Sequence, residues 1–286
     1  MIKRKPEWLR IDMKAYQPKE LKRVKALIEK TGLHTVCQEA NCPNQYECFS
    51  KRTATFMILG SQCTRNCKFC NVTHGVAGAP DPQEPEKVAE AVESLGLKYA
   101  VITSVTRDDL SDGGAGHFAK TIRAIKARTP HVKVEVLIPD FQGNEAALQI
   151  VIDAAPEVIN HNIETIARLY DTIRPEANYQ QTLTLIQRVK KIAPAIKTKS
   201  GIMVGLGEKP AEVEAVMRDL HDHGCQMLTI GQYLAPSRQH AEVVEYVTPE
   251  QFKLYESYAT ALGFAHVSSG PFVRSSYHAA DPFENQ

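Results

Sequence analysis

The 286-residue sequence predicts an α/β protein, a partial (β/α)6 TIM-type barrel with N-terminal and C-terminal extensions closing the barrel mouth. Two observations support this. Short apolar runs of strand length recur along the chain, and the stretches between them repeat their apolar residues at helical spacing. Strand alternating with helix builds a parallel sheet from right-handed βαβ units. The six units counted are fewer than the eight of a closed barrel, so a partial barrel is favoured over a doubly wound sheet.

In chain order the apolar runs are Ala54–Gly60, Tyr99–Val105, Val132–Pro139, Val158–Asn162, Lys197–Val204 and Met227–Gln232. The helical stretches between them are Glu86–Leu95, Phe118–Ala127, Asn144–Ala154, Ile166–Tyr170 with Tyr179–Ile192, and Pro210–His223. Three regions follow: an extension over 1–52, the barrel over 53–235, and a C-terminal helix and tail over 236–286. Residues 1–30 hold ten basic against four acidic side chains, a pattern that suits a solvated arm or a dock for an acidic protein.

The hydrophobic fraction of 43% suffices to bury a full core, and the net charge of +1 points to neither a nucleic-acid partner nor a membrane. MIKRKPEWLR lacks a signal-peptide core and no window has the apolar length of a membrane span, so a cytoplasmic location is expected. In that reducing compartment the seven cysteines read as metal ligands or catalytic thiols in preference to disulfides. Six of them fall between Cys37 and Cys70, whereas Cys225 reads as a buried core thiol.

Function in parallel α/β folds collects at the carboxyl ends of strands, and here those ends are polar and glycine-rich. The first run leads into Cys63-Thr-Arg-Asn-Cys67-Lys-Phe-Cys70, a CxxxCxxC spacing. Three thiolates so spaced can converge on three corners of an iron–sulfur cube and leave the fourth iron open. A structural zinc site, which needs four ligands, is the alternative. Upstream, Cys37, Cys42 and Cys48 form a second triplet, CxxxxCxxxxxC, suited to a second cluster, a zinc knuckle or free buried thiols. His117, His240 and His278 read as structural or exposed.

The CxxxCxxC loop, with aromatic Phe69 before its last cysteine, resembles the radical S-adenosylmethionine superfamily. The two triplets in this order resemble lipoyl synthases specifically. The likeness continues through Gly32-Leu-His-Thr-Val-Cys37, Arg107-Asp-Asp-Leu-Ser-Asp-Gly-Gly114, Leu137-Ile-Pro-Asp140, His161-Asn-Ile-Glu-Thr165, Gly205-Leu-Gly-Glu208, Gln232-Tyr-Leu and Gly270-Pro-Phe-Val-Arg274-Ser-Ser-Tyr277. It runs from about residue 6 to 280 with no departure at a motif position.

The resemblance implies two [4Fe-4S] clusters and S-adenosylmethionine as cofactors. It assigns Cys63, Cys67 and Cys70 to the cluster that splits S-adenosylmethionine, and Cys37, Cys42 and Cys48 to an auxiliary cluster that donates sulfur. A serine of the closing motif is the implied fourth ligand of the auxiliary cluster, best matched by Ser276, with Ser275 the runner-up. An alkoxide, harder than a thiolate, would leave iron readily when that cluster is dismantled. Cofactor contacts are expected at Phe69, Gly113, Gly114, Asn162, Glu164 and Lys199, all near strand ends.

The implied reaction places sulfur at C6 and C8 of an octanoyl group on a lysine of a lipoyl carrier domain. Unactivated C–H bonds have no useful acidity near neutral pH, so acid–base chemistry cannot break them and a radical is required. Implied partners are the octanoylated carrier (a 2-oxoacid dehydrogenase E2 or glycine cleavage H protein), an electron donor and a protein that rebuilds the consumed cluster. A methylthiotransferase or biotin synthase would share CxxxCxxC but neither the upstream triplet nor the serine motif. A zinc-stabilised module or a redox sensor would hold no iron.

Overall fold

The computed structural model describes residues 4–10, 18–40, 42–50 and 55–284, so Lys3, Asp12 and Lys14 of the basic arm, and Ala54, lie outside the described residues. The chain divides into two compact units, the first comprising 13–65, 71–160 and 278–286 and the second 1–12, 66–70 and 161–277.

In the first unit, α1 (Pro18–Thr31) buries Val24 and Ile28 and turns Lys19, Lys22, Arg23 and Lys30 to solvent. It is an amphipathic helix whose apolar stripe faces the core. The strand β1 (His34–Thr35) follows, then the short helices α2 (Val36–Glu39) and α3 (Gln45–Ser50), which hold the upstream cysteines. Next come β2 (Thr55–Ile58), β3 (Gln62–Cys63) and β4 (Thr73–His74). Then α4 (Glu84–Leu95), β5 (Tyr99–Ser104), α5 (Ala115–Arg128), β6 (Lys133–Leu137), α6 (Glu145–Asp153) and β7 (Val158–Asn160) repeat the βα unit.

Strands β2, β5, β6 and β7 are parallel neighbours in that order, and β1 adds antiparallel to β2. All four residues of β2 are buried, as expected of a parallel strand covered on both faces. Local signals fix the helix ends. Gly96, at φ 64°, closes α4 with its amide on Glu93 O, and the Asn144 side chain accepts the Ala147 amide at the start of α6. Phe118 is fully buried, with its ring edge-on to Phe141 at 6.5 Å. Phe118→Ala is expected to cost about 3–5 kcal/mol, measurable by denaturant titration, because the packed site cannot collapse.

The second unit holds α7 (Tyr170–Ile173), α8 (Tyr179–Ile192), β8 (Lys197–Val204), α9 (Pro210–Asp222), β9 (Met227–Gln232), α10 (Pro249–Leu262) and β10 (His266–Gly270). Strands β8, β9 and β10 are parallel neighbours over a core that includes Leu183, Val204, Val213, Leu220, Ile230 and Phe252. The sequence reading gave no strand after Gln232. His266–Gly270 pairs in register with Met227–Gly231, yet every one of its residues is only partly buried, so no apolar run announces it.

After Tyr277 the chain returns to the first unit, where α11 (Asp281–Glu284) sets Phe283 5.4 Å from the Tyr99 ring and under Lys133 Nζ at 4.4 Å. Tyr99 and Lys133 open β5 and β6, so this last stretch packs at the amino ends of those strands. Among the described residues no helix is long and apolar enough to cross a membrane.

Candidate active site

Cys63 ends β3, whose pairing with β4 and the Gly75 N–H to Cys63 O bond of 2.9 Å hold its backbone. Its sulfur accepts the Thr106 amide at 3.3 Å. Thr64 is bound twice to Thr106 O, by amide and by hydroxyl, both at 3.0 Å. The loop leaving β2 is fixed from the other side by Glu84, which accepts both the Leu59 amide and His117 Nε2 at 2.7 Å. His117 is therefore structural, as its isolation in the sequence suggests.

Cys67 and Cys70, in the second unit, share a turn closed by Cys70 N–H to Cys67 O at 3.1 Å. Lys68 anchors that turn through its amide on Ile173 O and its carbonyl under the Ala241 amide. Phe69 packs against Ile173, Leu206 and Tyr233, which accounts for an aromatic residue before the last cysteine. His240 Nε2 lies 3.0 Å from Cys70 O, and a carbonyl only accepts, so this nitrogen carries the proton. Its Nδ1 sits 2.8 Å from Ser237 Oγ. His240 thus has the structural role expected of it, with a partner 170 residues distant that no local pattern names.

The upstream triplet lies wholly in the first unit. The Cys42 amide donates to Cys37 O at 3.1 Å and the Cys48 amide to Asn44 O at 2.9 Å. Burial pushes the Cys37 thiol up to about 11, against a backbone hydrogen bond from Thr55 that favours the thiolate. Such a thiol is protonated until a metal displaces the proton. Among the described residues no three His, Cys, Asp or Glu side chains stand in the arrangement of a single-ion site. The thiolates around an iron–sulfur cube bind different irons, so they need not meet at the distances one ion demands. Cys225 is buried, its thiol pushed up to about 12 by burial, as expected of a core thiol.

The residues expected near the cofactor separate into two kinds. Gly113 and Gly114, at φ 60° and 90°, have structural reasons to be glycine. A Cβ on Gly113 would fall 2.9 Å from Phe141 Cδ1, and one on Gly114 2.3 Å from Leu59 Cδ1. Asn162, Glu164 and Lys199 instead place polar groups in the interior of the second unit. Asn162 donates to Glu164 Oε1 at 3.0 Å and to Ser275 Oγ at 2.6 Å, and its own Oδ1, buried, has no hydrogen-bond partner among the described residues. Burial raises the Glu164 carboxyl above its usual value, against the pull of Arg174 and the Asn162 hydrogen bond. Lys199 lies within β8 and is almost fully buried. The structure thus brings Asn162, Glu164 and Ser275 together, and Ser275 was only the second choice in the closing motif.

The Radical SAM superfamily matches residues 57–220. Over 279 residues the chain is 58% identical to the lipoyl synthase of Caldanaerobacter subterraneus subsp. tengcongensis, covering 98% of this chain and 97% of that protein. Over 277 residues it is 55% identical to the lipoyl synthase of Proteus mirabilis, covering 96% and 86% respectively. Its fold is similar to that of methylornithine synthase PylB, with TM-score 0.55 at 12% identity over 88% of this chain and 75% of that one. Streptococcus suis SuiB bound to S-adenosylmethionine gives TM-score 0.61 at 9% identity, over 85% of this chain and 57% of that one. The α/β class with parallel strands and helical crossovers read from the sequence is borne out.

Proposed function

Since the chain belongs to the lipoyl synthase family of the radical S-adenosylmethionine superfamily, we propose that it inserts sulfur at C6 and C8 of an octanoyl group carried on a lysine of a lipoyl carrier domain. It is a radical sulfurtransferase of lipoate biosynthesis that depends on S-adenosylmethionine and an iron–sulfur cluster. The reading rests on two cysteine triplets in one chain that is 58% identical to a lipoyl synthase over 98% of its length.

Cys63, Cys67 and Cys70 are assigned to the cluster that binds S-adenosylmethionine, and Cys37, Cys42 and Cys48 with Ser276 to a second, sulfur-donating cluster. The donor chemistry suits both groups: each triplet offers three thiols, and Cys63 already receives an amide on its sulfur. Bound there, the clusters and S-adenosylmethionine would supply a 5′-deoxyadenosyl radical and sulfide. Ser275 accepts the Asn162 amide, which supports Ser276 as the ligand of the pair.

Asn162 and Glu164 are assigned to hold polar groups of S-adenosylmethionine, supported by the buried, unpartnered Asn162 Oδ1. Lys199, buried within β8, Phe69 in the cysteine loop, and Gly113 and Gly114 before α5 are assigned with them. The carrier would be a 2-oxoacid dehydrogenase E2 or glycine cleavage H protein. An electron donor and a cluster-rebuilding protein would complete the cycle in the cytoplasm.

Protein purified or reconstituted without oxygen is expected to be brown, with about eight irons and a similar amount of acid-labile sulfide per chain, as two cubes require. Iron and sulfide analysis checks this. About four irons would withdraw the second cluster, and zinc in place of iron would withdraw both.

A further inference from the structure

We propose that Arg65, between the first two cysteines of the CxxxCxxC loop, is a positioning residue that aims Cys63 by locking its segment to the loops after β5 and β6. The inference rests on the reading of Cys63 as a cluster ligand. Arg65 is 6% exposed and makes four hydrogen bonds to two carboxylates. Its Nε and Nη2 fork onto Asp108 at 2.6 and 3.0 Å, and its Nη1 and Nη2 onto Asp140 at 2.9 and 2.7 Å. Planar, bidentate pairing of this kind sets direction as well as proximity.

Each carboxylate belongs to a loop with its own reason to be held. Asp108 N–H donates to Thr64 Oγ1 at 3.0 Å, while Thr64 and Cys63 bind Thr106 through its carbonyl and amide. Two residues of chain on either side are thereby joined by hydrogen bonds, of which the Thr106 amide reaches the Cys63 sulfur. Asp140 Oδ1 also accepts the Gln142 amide at 3.0 Å, within a turn where Phe141 and Gln142 both take positive φ, 48° and 51°. Such a turn is strained for non-glycine residues and persists only where its surroundings hold it. Through Asp140, Arg65 links this turn to the cysteine segment. A lysine could reach one carboxylate as a point charge but could not fork two.

The test is hydrogen exchange on the anaerobically reconstituted full-length protein. Amides of Thr64, Thr106 and Asp108 donate within this network, so Arg65→Lys is expected to speed their exchange at least about tenfold and to leave β9 unchanged. Asp108→Asn, which keeps the shape but not the charge, is expected to act in the same direction. Asp109→Asn is the control, because Asp109 pairs with Arg107 at 2.7 Å and not with Arg65. A second readout separates aiming from bulk stability: the electron paramagnetic resonance signal of the reduced protein on adding S-adenosylmethionine should change in Arg65→Lys and stay wild-type in Asp109→Asn. Exchange within about twofold of wild type, or an unchanged signal, overturns the proposal. Should Arg65→Lys not fold, Asp108→Asn decides on the same two criteria. Full iron content in Cys63→Ala would sink the ligand reading itself, a different failure from an unaltered exchange pattern.

Discussion

Cys67→Ala is expected to abolish reductive cleavage of S-adenosylmethionine, while Cys42→Ala still forms 5′-deoxyadenosine and makes no lipoyl product. The loss in each case should exceed the roughly 10–100-fold that outer partners of metal ligands govern, since these residues are assigned as ligands themselves. The backbone argues that both substitutions act through the thiol alone. Cys67 gives its carbonyl to the Cys70 amide, and Cys42 gives its amide to Cys37 O. Alanine keeps both bonds, so neither turn should unravel. Chromatographic assay of 5′-deoxyadenosine beside mass spectrometry of the carrier separates the two outcomes. Normal lipoyl yield from Cys42→Ala would mean that the upstream triplet is not the sulfur source.

The second large effect is expected from a residue with no functional group. Gly231 on β9 faces the closing motif so closely that a Cβ would lie 2.1 Å from Val273 O and 3.3 Å from Arg274 Nη1. The nearer atom is backbone, which cannot swing aside as a side chain can. Arg274 Nη1 also donates to Val273 O at 2.6 Å, so the turn is tied as well as packed. Gly231→Ala should therefore displace the turn before Ser275 and Ser276, at about 1–3 kcal/mol of overpacking. Lipoyl yield is expected to fall at least about tenfold while 5′-deoxyadenosine persists, because a 1.4 kcal/mol loss already corresponds to that factor. Gly96→Ala makes a fair control: its φ is positive, at 64°, but nothing lies within 4 Å of the added carbon. It should lower stability by about 1 kcal/mol and leave the product unchanged. Thermal denaturation and product analysis of both variants check the pair, and wild-type yield from Gly231→Ala would show that the serine turn need not sit where it does.

Much of the first-order design was legible in the chain. Lys197–Val204 and Met227–Gln232 were found residue for residue, and Tyr179–Ile192 likewise, because burial on a sheet or a helix face imposes a period that a local window contains. Helices α4 and α5 begin two and three residues earlier than their apolar patterns do. Their first turns are set by Pro85 near the start of α4 and by Gly114 in the left-handed region before α5, and neither adds an apolar residue at the helical period. Strand β10 carries no such periodic signal for a related reason. His-Val-Ser-Ser-Gly has one aliphatic side chain, and its place comes from the hydrogen-bonding edge that β9 offers.

What the sequence determined by itself is what depends on spacing along the chain: the α/β alternation, the two cysteine triplets and the polar strand ends. What only the tertiary structure decided is which distant groups meet. Nothing local distinguishes Arg65 from any other loop arginine, and its meaning comes from Asp108 and Asp140, 43 and 75 residues away. Nor could the motif Arg274-Ser-Ser-Tyr277 say that Ser275 would be taken by Asn162, 113 residues earlier. A periodic pattern is enforced by water on every turn and every second strand residue, so it is written continuously into the chain. A buried polar contact is enforced only by the cost of leaving its partner unpaired, and that partner is chosen by the fold.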